Sequence, residues 1–325
     1  MERETILYVS PQGRDSWSGR KPDPEGRDGP LRTLEKARDV LRSLRRSGEL
    51  SARPVVYLRG GVYPIRRPIV FEPEDSVPVT FAAYPGETPV LDGGERIVDW
   101  QTADVNGRAV WVAELPDVKA GSWYFRSLFV NGKRRPRPRL PKQGFYRIES
   151  LPEPPESLFS GSDRFGYAPG DIRRWRNFTD VEAVVPHFWV SERFPLAELD
   201  EEARLVRSSR RSVFRLTDDF QNRLADYYVE NVFEALSEPG EWYLDRSEGR
   251  LYYVPEPGEL PESAEVVAPR VEQLLILRGV PAEERYVEYL RFEGITFAHG
   301  DWSLPSGGGE ETPGEFPQVD LASAP

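Results

Sequence analysis

The 325-residue chain has no cysteine and only two histidines. Without cysteine it can form neither a disulfide nor a thiolate metal site. With two histidines and no loop of the calcium-binding EF-hand pattern, we expect no zinc site, no calcium site and no other cofactor. The missing cysteines do not decide the compartment, because secreted proteins without disulfides are common.

The chain also lacks a positive net charge and any long apolar run. Its formal net charge is -11 and its pI is near 5.0. Nucleic acids and anionic membranes bind positively charged surfaces, so neither is an expected partner. No apolar run approaches the roughly 18 residues that span a membrane. Charged residues follow Met1 where a signal peptide has its apolar core, so we expect a cytoplasmic protein, or a secreted one if the N-terminus is incomplete.

Proline, glycine and aromatic residues are abundant instead. The 31 Pro and 27 Gly are too many for a helical protein, and the 8 Trp, 14 Tyr and 16 Phe are too many for a disordered one. Between Pro54 and Gly94, the apolar runs VVYLRGGVY, PIVFEP, VTFAAYPG and PVLDGG each predict a strand followed by a turn. Their spacing of about ten residues suits a coil that winds sideways as well as a meander. The same pattern returns at Val271 to Gly279 and at Val287 to Gly300.

One amphipathic helix is predicted from Thr33 to Arg46. Its apolar positions share one face: Leu34, Ala37, Leu41 and Leu44. Thr33 is a suitable N-cap and Gly48 a suitable stop. Such a helix, placed before a series of winding strands, would cover the exposed end of the first coil.

Longer alternating strands are predicted between these two coil segments. They are AVWVAEL (Ala109 to Leu115), SLFVNGKR (Ser127 to Arg134), EAVVPHFWV (Glu182 to Val190), SVFRLTD (Ser212 to Asp218), EWYLDRSEGRLYYVP (Glu241 to Pro255) and AEVVAP (Ala264 to Pro269). Asn131-Gly132 and the loop with Gly249 predict hairpins, so this part is expected to be an inserted antiparallel β-sandwich or barrel.

The predicted organisation therefore has four parts. Residues 1–98 hold the cap helix and the first coils, 99–269 the inserted sandwich, 270–302 the resumed coils, and 303–325 a poorly ordered tail. A coil that stops here would leave an uncovered sheet edge. We therefore expect the chain to be the front portion of a longer protein.

Several segments carry a resemblance to a known family. They are LYVSPQGRDSWSG, PLRTLEKARDVLR, VVYLRGGVYPI, YYVENVFEALSEPGEWYLDRSEGRLYYVP and FEGITFAHGDW. Over residues 5 to 302 the chain resembles the right-handed parallel β-helix proteins of the pectin-lyase-like class, and more narrowly the glycoside hydrolases of families 120 and 141. The resemblance implies hydrolysis of a plant or microbial glycan containing xylan or fucose, with an oligo- or polysaccharide as substrate. It also implies that the catalytic carboxylates lie on coils beyond this chain, which alone would then be inactive.

Two other function classes stay open at this point. A polysaccharide lyase of the same class would need a cation or a basic group, and the missing metal motif counts mildly against it. A non-catalytic carbohydrate-binding or adhesin-like solenoid would need neither. The oligomeric state is also left open.

The best local cluster of polar groups is FAHGDW, at a predicted coil corner. Asp301 and His299 are candidates for catalysis, and His299 and Trp302 are candidates for substrate binding. Glycoside hydrolysis uses two carboxyl groups about 5–5.5 or 6.5–9.5 Å apart, and equivalent positions on neighbouring coils stack about 4.8 Å apart, so Asp92 could pair with Asp301. In the structural alternative, His299 shares the parity of Ile295 and points into the core.

Three other groups of residues are weighed in the same way. Glu230, Asn231 and Trp242 are candidates for substrate binding, against the alternative of a hydrogen-bonded loop with Trp242 in the core. His187 is expected to be packed and hydrogen-bonded. The basic run from Lys133 to Arg139 is expected to be a solvated connection that pairs with nearby carboxylates rather than a substrate contact.

Overall fold

The computed structural model describes residues 4–220 and 223–303, so the predicted tail after Ser303 lies outside the described residues. Within them the chain is mainly β, with two α-helices, α1 (Leu34–Arg46) and α2 (Pro116–Lys119). Single 3₁₀ turns lie at Pro73–Asp75, Phe178–Asp180, Phe233–Ala235 and Pro281–Glu283.

The strands are short and are numbered in chain order. The first twelve are β1 (Ile6–Val9), β2 (Val55–Leu58), β3 (Gly61–Pro64), β4 (Ile69–Phe71), β5 (Thr80–Ala83), β6 (Pro89–Asp92), β7 (Gly94–Ile97), β8 (Gln101–Val105), β9 (Arg108–Glu114), β10 (Leu128–Val130), β11 (Lys133–Arg135) and β12 (Arg139–Leu140). The others are β13 (Tyr146–Arg147), β14 (Arg164–Gly166), β15 (Glu182–His187), β16 (Val190–Asp200), β17 (Leu205–Ser208), β18 (Asp226–Glu230), β19 (Trp242–Asp245), β20 (Arg250–Tyr253), β21 (Val266–Pro269), β22 (Leu275–Leu277), β23 (Arg291–Glu293) and β24 (Thr296–Ala298).

These elements form two compact units. Of the described residues, unit 1 takes in those up to Arg96 together with Phe125–Ser127 and Val267–Trp302. Unit 2 takes in Ile97–Tyr124 and Leu128–Val266. The predicted four-part organisation, with boundaries after residues 98 and 269, stays a prediction.

Unit 1 is built from parallel ladders. Three sets of strands pair in parallel: β1, β2, β5 and β23; β3, β6 and β24; and β4 with β22. Val55 pairs with Thr80, 25 residues further along, and Val62 pairs with Val90, 28 residues further along. The predicted ten-residue spacing is therefore the step from one sheet to the next, whereas the chain returns to the same sheet after 25 to 28 residues.

The core of unit 1 lies between these sheets and helix α1. Phe71, Phe81 and Phe292 pack ring against ring with centroids 5.2–6.0 Å apart. The predicted face of α1 joins this cluster through three buried residues, Leu34, Ala37 and Leu41. The predicted cap is confirmed, because the Thr33 hydroxyl accepts a hydrogen bond from the Lys36 N–H at 3.1 Å.

Unit 2 contains antiparallel sheets. Six strands of the larger sheet run in the order β12, β18, β15, β16, β17 and β14, with β13 also paired to β18, and the smaller sheet has the order β19, β20, β9 and β8. Both predicted hairpins are confirmed: Asn131 and Gly132 have φ of 53° and 73° between β10 and β11, and β19 pairs with β20 across the Gly249 loop. Each of the two sheets has its own cluster of buried side chains. None of the described sheets closes into a barrel, and the sandwich stays a prediction.

Two predicted strands of this unit are wrong. The run from Glu182 to Val190 is broken after His187, because Phe188 and Trp189 form a two-residue turn with Phe188 at φ 52°. The run from Ser212 to Asp218 forms no strand. Its backbone N–H groups at Val213 and Phe214 donate to the Glu192 carboxylate instead of to a neighbouring strand.

Candidate functional site

A histidine–carboxylate pair lies on the outer side of unit 1. Leu91 on β6 is buried, so the next residue, Asp92, points outward from the same strand. His299 follows the end of β24, which pairs with β6. Its Nδ1 lies 2.8 Å from Asp92 Oδ1, and both side chains are 18% exposed. The pair can therefore contact a ligand at the surface of unit 1.

The backbone of His299 explains why the parity argument is wrong. Strand alternation from Ile295 would turn this side chain inward, but His299 has φ 54°, in the left-handed region. This conformation breaks the alternation and turns the imidazole to the outer side, where Asp92 accepts its hydrogen bond. Sparsely populated backbone conformations of this kind cluster at functional sites.

Two glycines let the chain approach the pair closely. A Cβ on Gly93 would lie 2.9 Å from the His299 carbonyl oxygen. A Cβ on Gly94 would lie 2.3 Å from Val267 Cγ1 and 2.9 Å from His299 Cβ. Because any larger residue would force these segments apart, the two glycines are part of how His299 reaches Asp92.

The charge state of Asp92 follows from opposing effects. Burial raises its pKa, but the hydrogen bonds from His299 and from the Gly94 N–H, at 2.7 Å, outweigh burial and hold the pKa of Asp92 below its ordinary value. The nearby Arg66 acts in the same direction and donates to the Gly94 carbonyl oxygen at 2.7 Å. Asp92 is therefore an ionised hydrogen-bond acceptor at neutral pH.

The end of the FAHGDW segment contacts a third part of unit 1. Asp301 Oδ2 accepts a hydrogen bond from the Arg126 N–H at 3.0 Å, and the Arg126 guanidinium lies 4.4 Å from the centre of the Trp302 ring. In the β6–β24 ladder Asp92 stands opposite Ala298. Asp92 and Asp301 thus do not hold equivalent positions on neighbouring strands, and the stacking argument for a catalytic pair does not apply to them.

Glu230 lies in a buried cluster of charges in unit 2. It stands directly opposite Glu182 on the neighbouring strand, and both carboxylates accept hydrogen bonds from Arg137. Arg193 also pairs with both. Burial raises the pKa of Glu230, but the two guanidiniums outweigh it and lower that pKa. All of these charges are neutralised locally, which favours the structural interpretation of Glu230.

The basic run is only partly the solvated connection that was predicted. Lys133–Arg135 is a strand, and Arg137 is 9% exposed rather than solvated. Its pairing with carboxylates agrees with the prediction, since Arg135 also contacts Glu259 at 2.5 Å. The sequence could not reveal the burial of Arg137, because Glu182 lies 45 residues away.

Two further candidates for substrate binding face the interior. Asn231 is 4% exposed, has φ 64° and donates to the Asp180 carbonyl oxygen at 2.8 Å. Trp242 is 1% exposed and donates its Nε1–H to the Arg135 carbonyl oxygen at 2.9 Å. Neither presents a surface to a sugar, so a role in stacking on substrate is wrong for Trp242 and the structural alternative holds.

His187 is packed as predicted. It is 4% exposed, and its Nε2 lies 2.8 Å from Glu192 Oε1. The neighbouring Trp189 was hidden inside a predicted strand, although it is 68% exposed at a hairpin turn. The cue available from the sequence was the aromatic pair Phe188-Trp189 after a proline, which lacks the glycine or asparagine that usually marks such a turn.

Among residues 4–220 and 223–303, no group of three or more His, Asp or Glu is arranged to hold a metal ion. In the same residues no helix is long and apolar enough to cross a membrane.

Comparisons with known proteins place these units in a class. The family model described as "GH141 insertion domain" matches residues 216–256, within unit 2. A solved structure described as "Glycoside hydrolase" is 26% identical, with a TM-score of 0.75, and the match covers 92% of this chain and 51% of that chain. This chain thus spans about half the length of that relative. These two similarities indicate a glycoside-hydrolase-like, carbohydrate-active protein.

A second solved structure, described as "The complex structure of XylC with xylose", is 17% identical with a TM-score of 0.40 and covers 91% of this chain and 35% of that chain. This likeness is too distant to carry an argument. No curated protein matches the chain.

Proposed function

We propose that this protein takes part in hydrolysing glycosidic bonds of a plant or microbial glycan that contains xylan or fucose. The observation that carries the proposal is the structural likeness to a glycoside hydrolase along 92% of the chain. The match to an insertion domain of the same class supports it independently, because it rests on the sequence of a different part of the chain. Hydrolysis would use paired carboxylates of the whole protein.

In this proposal unit 1 forms the first coils of a right-handed parallel β-helix, and unit 2 is a domain inserted between them. The parallel ladders support the coils, because β2, β3 and β4 are followed in order by their partners β5, β6 and β22. Unit 1 also resumes at Val267, after the bulk of unit 2.

The residues of this chain that best suit contact with a sugar are Asp92 and His299. An ionised carboxylate and an imidazole, 2.8 Å apart and partly exposed, offer an acceptor and a titratable group to sugar hydroxyls. Asp301 and Trp302 follow within three residues of His299. We assign these groups to substrate binding and not to the protonation of a leaving group.

The test is turnover of nitrophenyl xylosides and fucosides and release of reducing sugars from xylan. Turnover by the protein supports the proposal. Asp92→Asn and His299→Gln should then raise KM more than they lower kcat, because they remove binding groups. Exposed Arg147→Gln serves as the control.

Two results would replace the proposal. Calcium-dependent release of unsaturated uronates would assign the protein to the polysaccharide lyases. Tight glycan binding with no turnover of any substrate would assign it to non-catalytic carbohydrate-binding solenoids.

A further inference from the structure

Two strongly exposed aromatic rings lie close to one buried ring in unit 2. Trp189 is 68% exposed and Phe159 is 69% exposed. Their ring centroids lie 5.2 and 5.5 Å from that of Phe214, which is only 6% exposed. We call Phe159, Trp189 and Phe214 the aromatic platform. Exposed apolar surface of this kind marks a place where something binds.

The local structure holds the platform in place. The turn that presents Trp189 has Phe188 in the left-handed region, and the Phe188 N–H donates to Asp219 Oδ1 at 2.5 Å. Below it, the Phe214 N–H donates to Glu192 Oε1 at 3.3 Å. Rings that are fixed before binding lose little conformational entropy when a ligand arrives.

A polar pocket of about 310 Å³ lies on the same two segments as Phe159 and Phe214. We call it the basic pocket, and its lining includes Asp163, Arg207, Ser208, Ser209, Arg210 and Arg211. The Ser208 N–H donates to the Asp163 carbonyl oxygen at 2.7 Å, and the Arg215 N–H donates to the Leu158 carbonyl oxygen at 2.9 Å, so the two segments run side by side. Phe159 and Asp163 are four residues apart, which is at most about 14 Å. Platform and pocket can thus meet one extended ligand.

The charge of the pocket favours an anion. Three arginines face one carboxylate, Asp163, whose Oδ2 lies 2.9 Å from Arg207 Nε. Glu198 at 3.1 Å from Arg207 adds one more negative charge and still leaves a positive surplus. This surplus stands out in a chain of net charge -11. Guanidinium groups bind carboxylates by paired, charge-assisted hydrogen bonds.

We propose that the aromatic platform and the basic pocket together bind an acidic glycan, a polysaccharide whose sugars carry carboxylates. The apolar face of a sugar ring packs on Trp189 or Phe159, and a uronate carboxylate is held by the arginines. Serine hydroxyls and Asp163 serve the sugar hydroxyls. The inference rests on the proposed function only for the class of ligand, and it requires no hydrolysis.

The experiment measures binding of the full chain to polygalacturonate, with xylan as the neutral probe, by affinity electrophoresis and calorimetry. Trp189→Ala should weaken binding to polygalacturonate about tenfold, because stacking contacts of this size contribute over 1 kcal/mol. Trp189→Phe should retain most of the affinity. Arg211→Gln should weaken binding several-fold and reduce its dependence on salt. Leu260→Ala, at an equally exposed apolar residue of unit 2, is the matched control and should change nothing.

Three outcomes would overturn the inference. Absence of binding to polygalacturonate by the folded chain removes it altogether. Equal binding of xylan with no effect of Arg211→Gln removes the acidic ligand. A self-association that Trp189→Ala abolishes, with no change in glycan binding, assigns the platform to a second copy of the chain. Because nitrophenyl glycoside turnover is measured separately, its absence refutes the proposed hydrolysis and leaves this binding result standing.

Discussion

The two histidines of the chain form the same hydrogen bond in two different settings. His187 in unit 2 and His299 in unit 1 each lie 2.8 Å from a carboxylate. The His187 side chain is fully buried among aromatic rings, whereas that of His299 is 18% exposed and sits on strained backbone. The bond length alone thus says nothing about role. Burial makes the first pair part of the packing, and the backbone conformation presents the second pair to solvent.

The largest expected effect lies on the buried side of this comparison. Glu192 accepts hydrogen bonds from the Val213 and Phe214 N–H groups, at 2.8 and 3.3 Å, as well as pairing with His187. Glu192→Ala leaves these groups without their acceptor and should lower the free energy of unfolding by about 3 kcal/mol. Urea unfolding followed by tryptophan fluorescence measures the loss. Glu198→Ala, at a carboxylate that is 68% exposed, is the control and should cost about 0.5 kcal/mol or less. Equal losses in both variants would show that burial does not separate the two kinds of carboxylate.

The second effect tests the close approach on the exposed side. Gly94→Ala places a Cβ 2.3 Å from Val267 Cγ1, so the segments must shift. We expect a loss of about 2 kcal/mol, as for overpacking elsewhere. Gly60→Ala is matched, because its Cβ would come no nearer than 3.3 Å to a neighbour. If Gly94→Ala unfolds at the same urea concentration as the parent, the glycine is not needed for the approach of His299.

The third effect depends on pH. The pKa of Asp92 is lowered in the folded protein, so its ionised form stabilises the fold at pH values above the ordinary carboxyl pKa. That contribution is lost as the pH falls through the lowered folded value. Asp92→Asn should therefore cost about 1 kcal/mol near neutral pH, and parent and variant should converge in acid. The chain has only two histidines, so their ring proton signals in NMR provide a second readout: Asp92→Asn should shift the His299 signal and leave that of His187 unchanged. A constant difference at all pH values would contradict the role of the charge.

The parts of the molecule that could be predicted from sequence are those set by local signals. Thr33 caps a helix through its own side chain, and Asn131-Gly132 supplies the two positive φ angles of a tight turn. The turn at Phe188 and Trp189 uses the same backbone region with residues that rarely adopt it, so no local signal marked it.

Long-range pairings were out of reach for another reason. The register that sets Asp92 opposite Ala298 joins positions more than two hundred residues apart. The pair of Asp92 and His299 depends on that register and on one left-handed residue, neither of which leaves a periodic pattern. Sequence reasoning thus found the right segment, FAHGDW, and turned its histidine the wrong way.

The smallest effect should come from His299 itself. His299→Asn removes one hydrogen bond to Asp92, which costs about 1 kcal/mol. Asparagine adopts the left-handed region more readily than most residues, so the variant also relieves part of the strain at φ 54°. The two effects oppose each other, and we expect a net change within about 0.5 kcal/mol. His187→Asn, which has no such strain to relieve and leaves a cavity among aromatic rings, should cost about 2 kcal/mol in the same urea titration. Equal losses at both histidines would mean that the left-handed backbone at His299 stores no strain, and its imidazole would then be held outward by packing alone.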